Sequence, residues 1–93
     1  MAKLNYSVIF TKGAEKEYNK FEKKIQEQIK ESLRELRDFI VGEADKMPDV
    51  KKLKGKYNGL YRLRSGNYRI IYEAKNRICV VLIIKILHRQ GDY

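Results

Sequence analysis

The stretch Leu60–Tyr72, LYRLRSGNYRIIY, sets Arg62, Arg64 and Arg69 among apolar and aromatic residues on the two sides of Ser65-Gly66-Asn67. Two runs of this composition around a Gly-containing turn predict a β-hairpin. Side chains alternate across a strand, so Tyr61 and Leu63 point to one face while Arg62 and Arg64 point to the other. One face is then suited to a core. The other is lined with guanidinium groups and is suited to a polyanion such as the phosphate backbone of RNA.

Working outward, Leu60–Ser65, Asn67–Ala74 and Ile78–Arg89 predict a three-stranded antiparallel meander, with a second turn at Lys75-Asn76. The last run is apolar on both faces in its middle, as a central strand is. Upstream, Leu4, Tyr6, Val8 and Phe10 alternate as a strand does, and Thr11 is placed to cap a helix. Ala14, Tyr18, Phe21, Ile25, Ile29, Leu33, Leu36 and Ile40 then recur at spacings of three and four, which lays one apolar stripe along helix. A single helix of that length would be long for so small a protein, so two helices broken near Glu22-Lys23-Lys24 are expected. Gly42 is placed to end the second, and Val50–Lys54 could add a short edge strand. The expected class is α+β: a strand and a two-helix hairpin packed on one face of a small, mainly antiparallel sheet (β-α-α-β-β-β).

At 93 residues the chain is expected to form a single domain spanning 1–93. A hydrophobic content of 43% supplies a core and argues against disorder. Cys79 is the sole cysteine, which excludes an internal disulfide and suggests a buried, inert thiol. The run Ile78–Leu87 is too short, and too interrupted by Lys85, to cross a bilayer, and the N-terminus lacks the apolar core of a secretory signal. A cytoplasmic location is expected. The net charge of +9 is concentrated: residues 1–47 hold ten Lys/Arg against nine Asp/Glu, and residues 48–93 hold eleven against three. A one-sided excess of this kind steers polyanions and makes binding salt-sensitive, although charge runs are also often mere solvation.

Arg89 shares parity with Lys85 and Leu87 and is expected to join the arginine face, whereas Ile84, Ile86 and His88 share the other parity. Arg62, Arg64, Arg69 and Arg89 together would make a site of permanent cations without paired carboxylates, suited to phosphoryl charge. Lys51, Lys52, Lys54, Lys56 and Lys85 extend the basic surface as candidate RNA contacts. With one cysteine, one histidine and few acids after Asp49, neither zinc nor a two-metal nuclease is expected, and no cofactor is required. RNA carries its own nucleophile, the 2′-hydroxyl. Arginine cannot remove its proton, so a base or acid must come from His88, Tyr93 or a lysine of the 51–54 run. His88 is the first candidate, against the plain alternative of a strand-end histidine capping backbone groups. Tyr61, Tyr68 and Tyr72 read as packing residues, leaving Tyr57 and Tyr93 as candidates to stack on bases.

These motifs in this order resemble the RelE branch of the RelE/ParE toxin superfamily. The likeness covers almost the whole chain. It rests on the K-L-x-G step Lys52-Leu53-Lys54-Gly55, on the pattern Y-[RK]-x-[RK]-x-G-x-Y-R-x-x-Y at Tyr61–Tyr72, and on H-R-x-x-x-Y at His88–Tyr93. The resemblance implies a toxin held inactive by a cognate antitoxin, which cleaves messenger RNA on the ribosome without a metal. By matching position, Arg62 and Arg64 stand where relatives often carry lysines, Arg69 and Arg89 match arginines that stabilise the transition state, His88 matches a frequent histidine, and Tyr93 matches a substrate-orienting tyrosine. Two other readings stay open: a ParE-like inhibitor of DNA gyrase, and a basic RNA-binding module without catalysis.

Overall fold

The computed structural model describes residues 6–44 and 46–88. The elements run β1 (Ser7–Phe10), α1 (Lys12–Asn19), α2 (Lys23–Ile40), β2 (Val50–Lys52), β3 (Tyr61–Ser65), β4 (Tyr68–Lys75) and β5 (Val80–His88), with 3-10 turns at Gly55–Tyr57 and Asn76–Ile78. They form one five-stranded sheet in the order β1-β5-β4-β3-β2. β1 lies parallel to β5 and every other pair is antiparallel.

Local chemistry sets the element ends. The Thr11 hydroxyl accepts from the Ala14 N–H at 3.2 Å and so caps α1. The helix break falls at residues 20–22, overlapping the predicted Glu22-Lys23-Lys24 only at Glu22, and Lys23-Lys24 open α2. A reciprocal clasp holds the two helices together: Gln26 Nε2 donates to the Tyr18 carbonyl at 2.9 Å, and the Tyr18 hydroxyl donates to the Gln26 carbonyl at 3.2 Å. α2 ends in a Schellman motif at Gly42 (φ 80°), where the Glu43 N–H reaches the Asp38 carbonyl and the Gly42 N–H reaches that of Phe39.

The helices cover one face of the sheet. Ala14, Ile29, Leu33 and Leu36 pack on Leu63, Ile70, Tyr72, Val81, Ile83 and Ile86. The hairpin of β3 and β4 turns in two residues, with Ser65 paired to Tyr68 and Gly66 at φ 58°, the geometry of a type II′ turn. α2 anchors this turn. Gln28 Nε2 donates to the Ser65 carbonyl at 3.0 Å, and the Ser32 and Ser65 hydroxyls lie 2.6 Å apart.

Three sequence expectations need correction along β5. The strand begins at Val80, because Asn76–Ile78 winds into a 3-10 turn and Cys79 takes a left-handed conformation at φ 54°. Ile78 is therefore left 65% exposed in the turn instead of opening the strand. Cys79, expected to be buried, is half-exposed at the strand entry. Within the strand, Ile71 pairs with Lys85 while Tyr72 pairs with Ile83, so Ile84 is the extra residue of a β-bulge. The bulge lets Val81, Ile83 and Ile86 all face the core. α1 holds it in place: Thr11 Oγ1 donates to the Ile84 carbonyl at 3.2 Å, and Glu17 Oε1 accepts from the Ile86 N–H at 3.2 Å. Leu4, predicted to start β1, lies outside the described residues. Among those residues no helix is long and apolar enough to cross a membrane.

Candidate RNA-cleavage site

On the sheet face away from the helices, strand register aligns two rows. In the first, Lys51 lies opposite Arg62, Arg62 opposite Ile71, and Ile71 opposite Lys85. In the second, Arg64 lies opposite Arg69 and Arg69 opposite Leu87. The parity of β3 and β4 follows from the two-residue turn. That of β5 follows from the bulge, which restores Lys85 and Leu87 to this face after Ile83 and Ile86 have both turned inward. Ile71, fully buried, lies between Arg62 and Lys85.

The cations are not equivalent. Arg64 is half-exposed, whereas only 13% of the Arg62 side chain is accessible. Arg69 is 7% exposed, and among the described residues its side chain makes a long hydrogen bond, 3.4 Å, from Nη1 to the Tyr68 carbonyl. Among the described residues no carboxylate pairs with it. Placing Arg64 directly opposite Arg69 costs stability, about 0.2–1 kcal/mol for a like-charged cross-strand pair. A buried guanidinium facing a second one is an arrangement that an anion would relieve.

The expected absence of carboxylates is corrected by Asp49. Its Oδ1 accepts from Arg62 Nη2 at 2.8 Å and its Oδ2 lies 3.6 Å from Arg64 Nη1. Its backbone carbonyl accepts the Arg64 N–H at 3.0 Å, which fixes the residue at the edge of β3. Asp49 looked like loop in the sequence, next to Pro48. The available signal was parity: counted back two from Lys51, it falls on the arginine side of the edge strand.

Not every candidate reaches this face. Lys52 pairs with Tyr61 and has the helix-side parity, and Lys54 and Lys56 lie past the end of β2, all three exposed. The Lys56 ammonium sits 5.2 Å from the centre of the Tyr57 ring. His88 pairs with Tyr68, and the two rings meet edge to face at 5.1 Å on the helix side, where Tyr68 also meets Phe21 at 5.0 Å. His88 is thus exposed at the tip of β5, across the sheet from the arginines. Tyr61 stacks on Tyr72 at 5.6 Å, which leaves both as packing residues. Burial, with the neighbouring Tyr61 as the lesser cause, pushes the Tyr72 phenol up to about 12. Arg89 and Tyr93 lie outside the described residues. Among those described, no three His, Cys, Asp or Glu side chains gather as a metal site would need.

A family model for the ParE toxin of the parDE type II toxin–antitoxin system matches residues 8–93. The chain belongs to this toxin family. Within it, the toxin is 33% identical over 88 residues to the mRNA interferase toxin RelE of Escherichia coli, covering 91% of this chain and 84% of that protein. Its fold matches the RelE–RelB complex from Pyrococcus horikoshii with a TM-score of 0.69 at 30% identity, covering 96% of this chain and all of that one. It matches the isolated E. coli RelE toxin with a TM-score of 0.68 at 28% identity, covering 95% and 88%. The toxin is therefore RelE-like, and the predicted α+β architecture is the one found.

Proposed function

We propose that this toxin is an endoribonuclease that cuts messenger RNA on the ribosome by attack of the RNA's own 2′-hydroxyl, with no metal. The observation that carries the reading is the sheet face away from the helices, on which Arg62, Arg64, Arg69, Lys51 and Lys85 converge. In the reaction the 2′-oxygen loses its proton and bonds to phosphorus, the bond from phosphorus to the 5′-oxygen breaks, and that oxygen takes up a proton. A 2′,3′-cyclic phosphate and a 5′-hydroxyl result. Charge builds on the non-bridging oxygens in between, and fixed guanidinium donors stabilise it. We assign this task to Arg62, Arg64 and Arg69, together with Arg89, which lies outside the described residues. His88, on the helix side at the tip of β5, is assigned proton transfer only to RNA that passes round that tip from the arginine face, and Tyr93 is assigned the stacking of a base. Lys51 and Lys85 hold flanking phosphates, with Lys52, Lys54 and Lys56 supplying a wider basic margin.

Similarity to toxins solved with bound antitoxins supports a cognate antitoxin as the natural partner. A groove lined by Val8, Phe10, Tyr18 and Leu33 and rimmed by Lys30, Arg34 and Arg37 offers that partner apolar surface with a basic border. Work on translating ribosomes implies a cytoplasmic location. The test is to add the purified toxin to translating ribosomes and map messenger 5′ ends, with naked RNA and Arg69→Ala in parallel. Cuts within codons on ribosomes only, absent with the variant, are expected.

The match to a model built on ParE toxins favours a second reading, a gyrase inhibitor. Loss of supercoiling activity at stoichiometric toxin, with transcripts left intact, would establish that reading in place of the first.

A further inference from the structure

Arg62 holds the one buried side-chain nitrogen found without a partner among the described residues, its Nε. A guanidinium offers Nε–H and Nη2–H side by side, a fork that matches two oxygens of one phosphate or carboxylate. Asp49 engages this fork at one tine only. Oδ1 takes Nη2 at 2.8 Å, while the second oxygen is turned toward Arg64 at 3.6 Å, beyond hydrogen-bonding range. The Arg62 side chain is largely buried and fixed, whereas Asp49 is 52% exposed and lies at the sheet's edge. With its carboxylate half in water and one oxygen unengaged by the fork, the pair is held less firmly than a fully buried, bidentate one.

We propose that the Nε–Nη2 edge of Arg62, with Arg64 beside it, is a phosphodiester-binding subsite, and that Asp49 is its resident counter-ion, displaced when the RNA backbone binds. The inference rests on the RNA-cleaving reading and adds to it a regulated occupancy. A tetrahedral phosphate bridging Nε and Nη2 satisfies the nitrogen that Asp49 leaves unpaired, and its remaining oxygens face Arg64. Until then the carboxylate neutralises part of the arginine face and spares Arg62 and Arg64 their mutual repulsion. Weak anions and stray phosphates must compete with it, while a backbone held at several points displaces it without difficulty. Asp49 is in this sense a positioning residue that raises the threshold for RNA entry.

The test is fluorescence anisotropy with a short, fully 2′-O-methylated RNA, which binds but cannot be cut, titrated with the toxin across a series of KCl concentrations. Wild type, Asp49→Asn, Asp49→Ser and Glu73→Gln are compared. Glu73 stands on the same face, 3.4 Å from Lys75, so its variant makes the same change in net charge away from the fork. Both Asp49 variants should lower Kd by about three- to tenfold. The log Kd against log salt slope should stay within about 0.7 of wild type, the value of one phosphate contact to a single strand, because wild type makes that contact too once Asp49 is displaced. Glu73→Gln should leave Kd near wild type. In an Arg62→Lys background, which lacks the fork, the Asp49 effect should shrink to the level of Glu73→Gln. Unchanged or weaker binding by both Asp49 variants, or an equal gain from Glu73→Gln, overturns the subsite. If wild type binds no RNA even at low salt, the RNA-cleaving reading fails first, and the subsite with it.

Discussion

The hairpin of β3 and β4 presents two faces that obey opposite rules. Its helix side, Leu63, Ser65, Ile70 and Tyr72, is buried and satisfied: the apolar groups touch α1 and α2, and Ser65 is bonded to Ser32 and Gln28. Its other side, away from the helices, buries charge that its partners among the described residues satisfy only in part. Among the described residues, Arg69 is almost as inaccessible as its core neighbours yet makes one 3.4 Å hydrogen bond, and Arg62 keeps an unpaired Nε. Two strands thus carry a stabilising surface and a strained one back to back. Natural chains concentrate such local conflict where they bind or react, and compensate for it elsewhere. Here the compensation is the core a few ångströms away through the same backbone.

The sharpest way to break this division is to damage the satisfied side. Ile70→Ala should cost about 2–5 kcal/mol of stability, since the side chain is fully buried among residues that cannot easily collapse into the gap. Urea denaturation reads that loss. At temperatures where the variant remains folded, its cleavage of ribosome-bound messenger should stay near wild type. A variant stable within about 0.5 kcal/mol would mean that the helix face is not the scaffold described here.

The converse experiment strikes the open side. Arg69→Met keeps bulk and removes the buried charge, so stability should hold or rise, as when buried ionic groups are replaced by apolar ones of similar size. Cleavage should fall about 10²–10³-fold, the usual loss when one donor to transition-state charge is removed. A toxin that melts earlier while cutting normally would make Arg69 a structural residue and reverse the assignment of the two faces.

An intermediate effect is expected at the turn that joins the faces. A Cβ at Gly66 would lie 2.6 Å from Gln28 Nε2, and the backbone there is left-handed at φ 58°. Gly66→Ala should therefore destabilise by about 1–3 kcal/mol, combining strain with displacement of the Gln28 bond to Ser65. Adding Gln28→Ala should recover the steric part only. Full recovery would show that left-handed strain contributes little at this turn.

How far these features were legible in the sequence follows from the same geometry. A two-residue turn locks register, so the faces of Arg62, Leu63, Arg64 and Arg69 could be read directly. The bulge at Ile84 could not, because the run from Val80 to Ile84 is apolar in either phase and a slip of one leaves its pattern unchanged. Only Lys85 marks where the phase resumes. Asp49 was hidden for another reason: its role depends on the pairing of a three-residue edge strand, and short strands announce their register poorly. His88 was rightly given the helix-side parity, but its packing on Tyr68 across the sheet from the arginines emerges only in three dimensions.

The smallest expected effect tests how dry the satisfied face is. Burial pushes the Tyr72 phenol up to about 12, so the folded chain holds that proton more tightly than the unfolded chain, whose tyrosines release theirs near pH 10. The sign follows: this contribution is whole below pH 10, and it is lost as pH rises from there toward 12. Wild type should accordingly lose more stability between pH 8 and pH 11 than Tyr72→Phe, which has no proton to release. Comparing urea midpoints of both proteins at the two pH values isolates the difference, since lysine titration is common to both. Parallel losses would mean that water reaches the Tyr72 hydroxyl, and that the covered face is wetter at its Tyr61–Tyr72 end than the packing indicates.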